Sequence, residues 1–99
     1  MKSILFVCTL VANACVWGAV NCSKPDKSGV EWLICTNDRV STADEIMSMA
    51  FRDAFNRTSD KEALIREQEE WRKNVRDACN DVPCLLRAFE RRASELETY

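Results

Sequence analysis

Cysteines are the side chains of this sequence best suited to covalent chemistry, since six occur in 99 residues and histidine is absent. Four of them, Cys22, Cys35, Cys79 and Cys84, lie in the polar part of the chain. An even set of cysteines in a short exported chain is typical of disulfides. A zinc site is disfavoured, because Cys79 and Cys84 are spaced more widely than a usual ligand pair and no histidine is available. We therefore predict two disulfides, no metal and no cofactor.

The sequence leaves three pairings of these four cysteines open. In an up-down pair of helices the start of one helix lies near the end of the next, which would bring Cys35 close to Cys79 and Cys84. We therefore expect bridges from the N-terminal cysteines to the Cys79 and Cys84 corner, rather than a local bridge within each segment.

The chain offers little for catalysis. An enzyme needs a nucleophile with a base, a metal cluster or two facing carboxylates. Histidine is absent, only two glycines occur, and no cysteine of the polar part stays free if both bridges form. Glu69 and Glu70 are adjacent, so on a helix they would point about 100° apart and form no carboxylate pair. We predict that the protein is not an enzyme.

The N-terminal stretch has the pattern of a secretory signal. Lys2 precedes an apolar run over residues 4–17 that ends in small residues. The run is shorter than the roughly 20 apolar residues of a membrane-spanning helix. Signal peptidase requires small side chains at the first and third positions before the cut. A cut after Gly18 places Gly18 and Val16 at these positions, whereas a cut after Ala19 would place the large Trp17 at the third. We predict a cleaved signal peptide over residues 1–18.

Removal of this segment also takes away Cys8 and Cys15 and leaves one domain over residues 19–99. Lipid attachment at Cys15 is a rival fate, but Asn13 fits poorly among the small and apolar residues that lipoprotein processing requires. We expect a periplasmic or secreted protein with no stable membrane span after cleavage.

The charge balance limits the class of partner. The net charge is −2 for the whole chain, and loss of Lys2 with the signal makes it −3. A mildly acidic chain is a poor candidate for binding nucleic acid. It is better suited to a basic protein partner, although a charge of this size affects encounter rate and solubility more than identity.

Helix signals dominate the rest of the sequence, in which glycine and proline are rare. A capping pattern at Ser28 predicts a short helix that ends near Cys35 and buries Trp32, Leu33 and Ile34. The predicted fold is all-α: a small, disulfide-stapled antiparallel helical hairpin or three-helix bundle with this short N-terminal helix.

Three longer helices follow in the prediction. The first begins after a cap at Asn37 or Asp38, and its apolar pattern ends at Asn56. A tight turn over residues 57–59 then leads to a capping box formed by Ser59 and Glu62, which starts the second helix. Asp81 caps the third helix, which runs to about residue 97.

Side chains at three- and four-residue steps mark the inward face of each long helix. In chain order these positions are Val40, Ala43, Met47, Ala50, Phe51 and Ala54, then Leu64, Gln68, Trp71, Val75 and Ala78, and finally Leu85, Ala88, Phe89, Arg92, Ala93 and Leu96. Trp71, Phe51 and Phe89 are the predicted core aromatic residues.

Polar side chains among these core positions need partners, because an unsatisfied buried polar group costs roughly 1 to 3 kcal/mol. We predict a structural polar network of Asp44, Gln68, Arg76 and Arg92, with Asp44 as the counter-charge on the first long helix. The functional alternatives are a charged ligand cleft formed by Asp44, Arg76 and Arg92, or a recognition patch formed by Gln68 and Trp71, since tryptophan is favoured at binding hot spots.

The order and spacing of several motifs resemble the LprI-type lysozyme-inhibitor N-terminal domain family over nearly the whole mature chain. These motifs are Cys22, Glu31, Ile34-Cys35, Val40, Asp44, Phe51, Gln68-x-x-Trp71, Arg76-x-x-Cys79, Cys84-Leu85, Phe89-x-x-Arg92 and Leu96. The resemblance implies a compact, disulfide-bonded helical domain in exported or envelope-attached bacterial proteins. Phe51 and Phe89 stand where the family usually has tyrosine, so any role of those hydroxyls is in doubt here.

The family is named for a mycobacterial lipoprotein that inhibits lysozyme, so the resemblance implies a binding protein that covers the cleft of a basic, lysozyme-like muramidase. The alternative is an envelope interaction or immunity protein that neutralises another toxin or accompanies an envelope or conjugal transfer machine. A purely structural periplasmic accessory would share the same features. No motif assigns the binding residues.

Overall fold

A computed structural model describes residues 20–23 and 29–99. Four α-helices follow one another: α1 (Gly29–Thr36), α2 (Asp38–Arg57), α3 (Lys61–Trp71) and α4 (Val82–Leu96). A short π-helical segment, Arg72–Arg76, continues α3 directly. The all-α prediction with a short N-terminal helix is confirmed. The predicted signal peptide, with Cys8 and Cys15, lies outside the described residues.

Side-chain caps set the starts of the three longer helices. Oδ1 of Asn37 accepts a 3.1 Å hydrogen bond from the Val40 amide, and Oδ1 of Asp81 accepts one of 2.9 Å from the Cys84 amide. These two caps agree with the sequence. The capping box at Ser59 is wrong by one residue, because Asp60 is the cap.

Asp60 starts α3 by accepting a 3.0 Å hydrogen bond at Oδ1 from the Ala63 amide. A carboxylate at this position also interacts favourably with the positive end of the helix dipole, which the Ser59 hydroxyl would not do. The Thr58 hydroxyl accepts from the Asp60 amide at 3.2 Å and fixes the turn between α2 and α3.

Contacts between the helices define an up-down-up bundle. Met47 of α2 meets Gln68 of α3, so these two helices are antiparallel. The C-terminal ends of α2 and α4 meet, since Arg57 donates from Nη2 to the Leu96 carbonyl at 3.0 Å and from Nε to the Tyr99 carbonyl at 3.1 Å. α2 and α4 therefore run parallel, and each is antiparallel to α3. An arginine in the last turn also favours the carbonyl end of the α2 dipole.

The core lies between α2, α3 and α4 and extends under α1. Its largest fully buried side chains are Phe51, Phe89, Ile34, Met47, Leu64, Leu85, Leu96 and Val40. The rings of Trp71 and Phe89 are 5.7 Å apart and tilted, an arrangement that aromatic pairs favour. Ala43, Ala50 and Ala93, which were predicted to face inward, are only half-buried.

The π-helical segment changes which side chains face inward after Trp71. Val75 is 43% exposed and Ala78 is also exposed, so both predicted core positions are wrong. Arg76 and Cys79 are buried instead. A π turn closes with an i to i+5 hydrogen bond, here from the Asp77 amide to the Arg72 carbonyl at 2.9 Å. Because this turn contains one extra residue, the positions that face the core are shifted by one residue toward the C-terminus, from Val75 to Arg76 and from Ala78 to Cys79.

Candidate functional site

Both disulfides of the described chain are local. Cys22 pairs with Cys35 and Cys79 pairs with Cys84, and in each pair the two Cα atoms are 5.6 Å apart. The number of bridges agrees with the sequence, but the expected long-range pairing is wrong. α1 approaches the Cys79 corner with its N-terminal residues, beginning at Gly29. Cys35 is six residues further on, about 9 Å along the helix axis, and bonds to Cys22 instead.

Gln68 and Arg92 form one part of the buried polar set. Nε of Arg92 donates to Oε1 of Gln68 at 2.8 Å, and Nε2 of Gln68 lies 3.2 Å from Sδ of Met47. Nη1 of Arg92 also contacts Oε1 of Glu95 at 3.2 Å. The counter-charge of Arg92 is therefore Glu95 on its own helix, so the expectation that Asp44 would supply it is wrong for Arg92.

Arg76 belongs to a second, separate group at the π-helical segment. Its Nε contacts Oδ1 of Asp77 at 2.9 Å, and its Nη2 lies 3.9 Å from Oε2 of Glu31 on α1. Nη1 of Arg72 contacts the other oxygen of Asp77 at 2.9 Å. These ion pairs attach α1 to the end of α3 and explain why a charged side chain takes the buried position that Val75 was expected to fill.

Asp44 lies inside α2 and is only 4% exposed. Its Oδ2 accepts a 3.4 Å hydrogen bond from the Val20 amide, while Oδ1 is buried and has no hydrogen-bond partner among the described residues. Burial raises the pKa of Asp44 to about 6. The Val20 hydrogen bond and the charge of Arg76 lower this pKa, and the neighbouring Glu45 raises it, but none outweighs the loss of solvent.

The four predicted network residues are all buried, yet they fall into separate groups rather than one cleft. Gln68 and Trp71, the alternative recognition patch, are also buried. Their side chains pack inside the bundle and are not accessible to a partner. Phe51 and Phe89 are buried with Trp71 in the core. These positions therefore hold the helices together and leave the contact surface to be found elsewhere.

The surface that stands out surrounds Trp32, which is 60% exposed on α1. A shallow pocket of about 490 Å³ lies beside it. Gly29, Val30, Trp32, Leu33, Asp77, Cys79 and Asn80 line this pocket. We call these residues the Trp32 surface. The partly exposed carboxylates of Glu31 and Asp77 lie at its edge, where they pair with Arg72 and Arg76.

The prediction that Trp32 is buried is wrong, and helical spacing explains the error. Val30 and Ile34 are the buried residues of α1. Trp32 lies two residues from each, about 200° around the helix, and so faces away from the core. A large apolar side chain on the outward face of a short helix was the signal in the sequence that could have located this surface.

A second apolar region lies in a groove between α2 and α4. Ile46 is 55% exposed and Met49 is similarly exposed on the outward side of α2. The groove has a volume of about 390 Å³ and is lined by Asp38, Arg39, Thr42, Ala43, Ile46, Leu86, Phe89, Glu90 and Ala93. None of these described lining residues is a cysteine, whereas Cys79 lines the pocket beside Trp32.

No protein-family model, curated protein or solved structure matches this chain. Among residues 20–23 and 29–99, no cluster of three or more cysteine, aspartate or glutamate side chains could hold a metal ion. No helix in that part of the chain is long and apolar enough to cross a membrane. The two exposed apolar regions of the described chain, the Trp32 surface and the groove between α2 and α4, are the candidate sites.

Proposed function

We propose that this is an exported binding protein that inhibits a lysozyme-like muramidase by covering the enzyme's cleft with the Trp32 surface. The observation that carries the proposal is the exposure of Trp32 on a helix that is attached to one disulfide at Cys35 and lines a pocket together with Cys79 of the second disulfide. We assign no catalytic step to the protein.

The rigidity of α1 supports a binding role for Trp32. Tryptophan is enriched among residues that dominate binding energy, and its contribution is largest where little flexibility is lost on association. The Cys22 bridge restrains one end of α1, and the contact between Arg76 and Glu31 restrains the face beneath Trp32. The helix that carries Trp32 is thus restrained before any partner arrives.

Charge and compartment support the class of partner. Two disulfides favour an oxidising compartment, which agrees with the predicted signal peptide and a periplasmic or secreted location. Glu31 and Asp77 lie beside Trp32 but are paired with Arg72 and Arg76, so their charges are locally balanced. The mature chain is acidic overall, and this net charge would accelerate encounter with a basic enzyme. The resemblance to the LprI-type family supplies the muramidase as the specific candidate.

Lysis of peptidoglycan by a basic c-type lysozyme tests this proposal directly. We expect stoichiometric inhibition by the oxidised protein and loss of inhibition after reduction. Trp32→Ala should weaken binding by about 30-fold, as expected for a hot-spot residue. Ile46→Ala is the matched control, since Ile46 is almost equally exposed but lies on α2. Failure to inhibit at micromolar excess would exclude this class of enzyme.

The groove between α2 and α4 favours a second candidate, the envelope interaction or immunity protein. Its exposed Ile46 and Met49 form a separate apolar surface that inhibition through Trp32 would leave free. Recovery of an envelope toxin or transfer-machine component by the wild-type protein, lost in Ile46→Glu but retained in Trp32→Ala, would favour this role. Loss of recovery in Trp32→Ala with retention in Ile46→Glu would instead assign the interaction to the Trp32 surface.

A further inference from the structure

Asp44 is a buried carboxylate without a close counter-charge in the described chain. Its Oδ2 is 3.4 Å from the Val20 nitrogen, and its Oδ1 has no hydrogen-bond partner among residues 20–23 and 29–99. The positive charge of Arg76, on the π-helical segment, is close enough to attract Asp44. The hydrogen bonds and ion pairs of this guanidinium, however, are with Asp77 and Glu31. Glu45, the neighbour on α2, carries the same sign of charge as Asp44. A buried charge left in this state costs free energy.

The chemistry of the Val20 region changes if the signal peptide is removed. In the uncut chain the Val20 nitrogen is a neutral peptide amide with a single hydrogen to donate. The predicted cut after Gly18 creates an α-ammonium group at Ala19, one residue before Val20. A cut after Ala19 would turn the Val20 nitrogen itself into the ammonium group. In both cases a positive charge with three donors appears within about one residue length, roughly 3.8 Å, of the nitrogen that already contacts Asp44.

We propose that Asp44 is the buried acceptor for the α-ammonium group created by signal-peptide removal, and that this ion pair stabilises the processed fold. The inference rests on the export step of the proposed function but not on the muramidase partner. Oδ1 supplies the free acceptor, and the low polarity around Asp44 strengthens the attraction to a nearby cation. The precursor lacks this cation, so it folds less stably before export than the processed chain does afterwards.

The pairing changes the titration of both groups. The α-ammonium lowers the pKa of Asp44 below the value of about 6 that burial and the Val20 amide produce together. Asp44 in turn raises the pKa of the α-amino group above its ordinary value of roughly 7.7 to 8.0. Stability from this pair is therefore fully present between the pKa of Asp44 and that ordinary value, and it is lost as pH rises through the raised pKa of the amino group or falls through the pKa of Asp44. Arg76 and Glu45 face Asp44 in the processed and unprocessed chains alike.

Acetylation of the α-amino group provides the main test, because it removes the terminal charge and little else. The oxidised processed protein is compared with its acetylated form by urea unfolding at pH 6.5. We expect acetylation to raise the unfolding equilibrium constant about tenfold or more, the equivalent of one pKa unit. In Asp44→Asn, acetylation should change that constant less than about twofold, while the exposed Asp53→Asn on the same helix should behave like wild type. An equal effect of acetylation in all three chains would overturn the proposal.

Two further measurements keep the inference testable if Asp44→Asn does not fold. Carboxyl NMR titration of the wild-type protein should give a lower pKa for Asp44 in the free-amine form than in the acetylated form. Equal values would contradict the ion pair. Mass spectrometry of the exported protein should find an N-terminus at Ala19 or Val20, and a lipid-modified Cys15 would place the terminus too far away. These outcomes are independent of the lysozyme assay, so failure of one proposal does not imply failure of the other.

Discussion

Nε of Arg92 donates a 2.8 Å hydrogen bond to Oε1 of Gln68, and this contact joins α4 to α3 inside the core. The Nη2 atom of the same guanidinium is buried and has no hydrogen-bond partner in the described chain. Arg92 therefore depends on Gln68 and on Glu95 for the compensation of a buried charge. Such arrangements are sensitive to loss of one partner.

Replacement of Gln68 should destabilise the fold more than loss of the charge on Glu95. In Gln68→Leu the Arg92 Nε–H loses its acceptor inside the core, which should lower the free energy of unfolding by about 2–3 kcal/mol. Glu95→Gln is the control, since half of the Glu95 side chain is in solvent and the change should cost less than about 1 kcal/mol. Urea denaturation measures both, and equal losses would contradict the role of Gln68.

The π-helical segment can be tested by comparing two apolar residues of the same long helical stretch. Val75→Ala should lower the free energy of unfolding by no more than about 1 kcal/mol, because this side chain is 43% exposed. Leu64→Ala removes a fully buried side chain and should cost about 2–5 kcal/mol. A regular α-helix through this region would turn Val75 inward. Comparable destabilisation by the two substitutions would then be observed.

The two disulfides should contribute unequally to stability. Their sequence separations are 13 residues for Cys22 and Cys35 and 5 residues for Cys79 and Cys84. Loop-closure entropy then predicts losses of about 3 and about 2 kcal/mol when each pair is replaced by serine. Thermal unfolding of the two double variants measures the difference. Peptide mapping under non-reducing conditions checks the pairing, and a fragment joining Cys35 to Cys79 or Cys84 would refute it.

Asp44 predicts a specific pH dependence in the N-terminally acetylated chain, where no α-ammonium group lies beside it. Burial raises the pKa of Asp44 from 3.8 to about 6, despite the opposing effects of the Val20 amide and Arg76. The folded state thus keeps a proton that the unfolded chain releases, so the contribution of Asp44 to stability falls as pH rises from about 4 to about 6. Asp44→Asn should remove this decline and Asp53→Asn should retain it. Unfolding measured across this range decides the matter, and a decline that persists in Asp44→Asn would assign it to another group.

The sequence by itself determined the helical elements and most of their inward faces. Asn37 and Asp81 are caps because a short polar side chain just before a helix satisfies its free amides, a purely local interaction. Met47 and Phe89 are buried, as predicted, because apolar residues at three- and four-residue steps form the inward face of a regular helix. The even set of four cysteines likewise predicted two disulfides without structural information.

Only the tertiary structure decided the features that depend on how helices meet. The π turn buries Arg76 where it reaches Glu31, and a contact with another helix is not encoded in local spacing. The pairing of Cys35 depended on which end of α1 approaches the Cys79 corner. Trp32 is exposed because Val30 and Ile34 occupy the face of α1 that the core covers. Composition and periodicity specify which side chains tend to be buried, whereas the approach of separate helices selects their partners and leaves the remaining surface for binding.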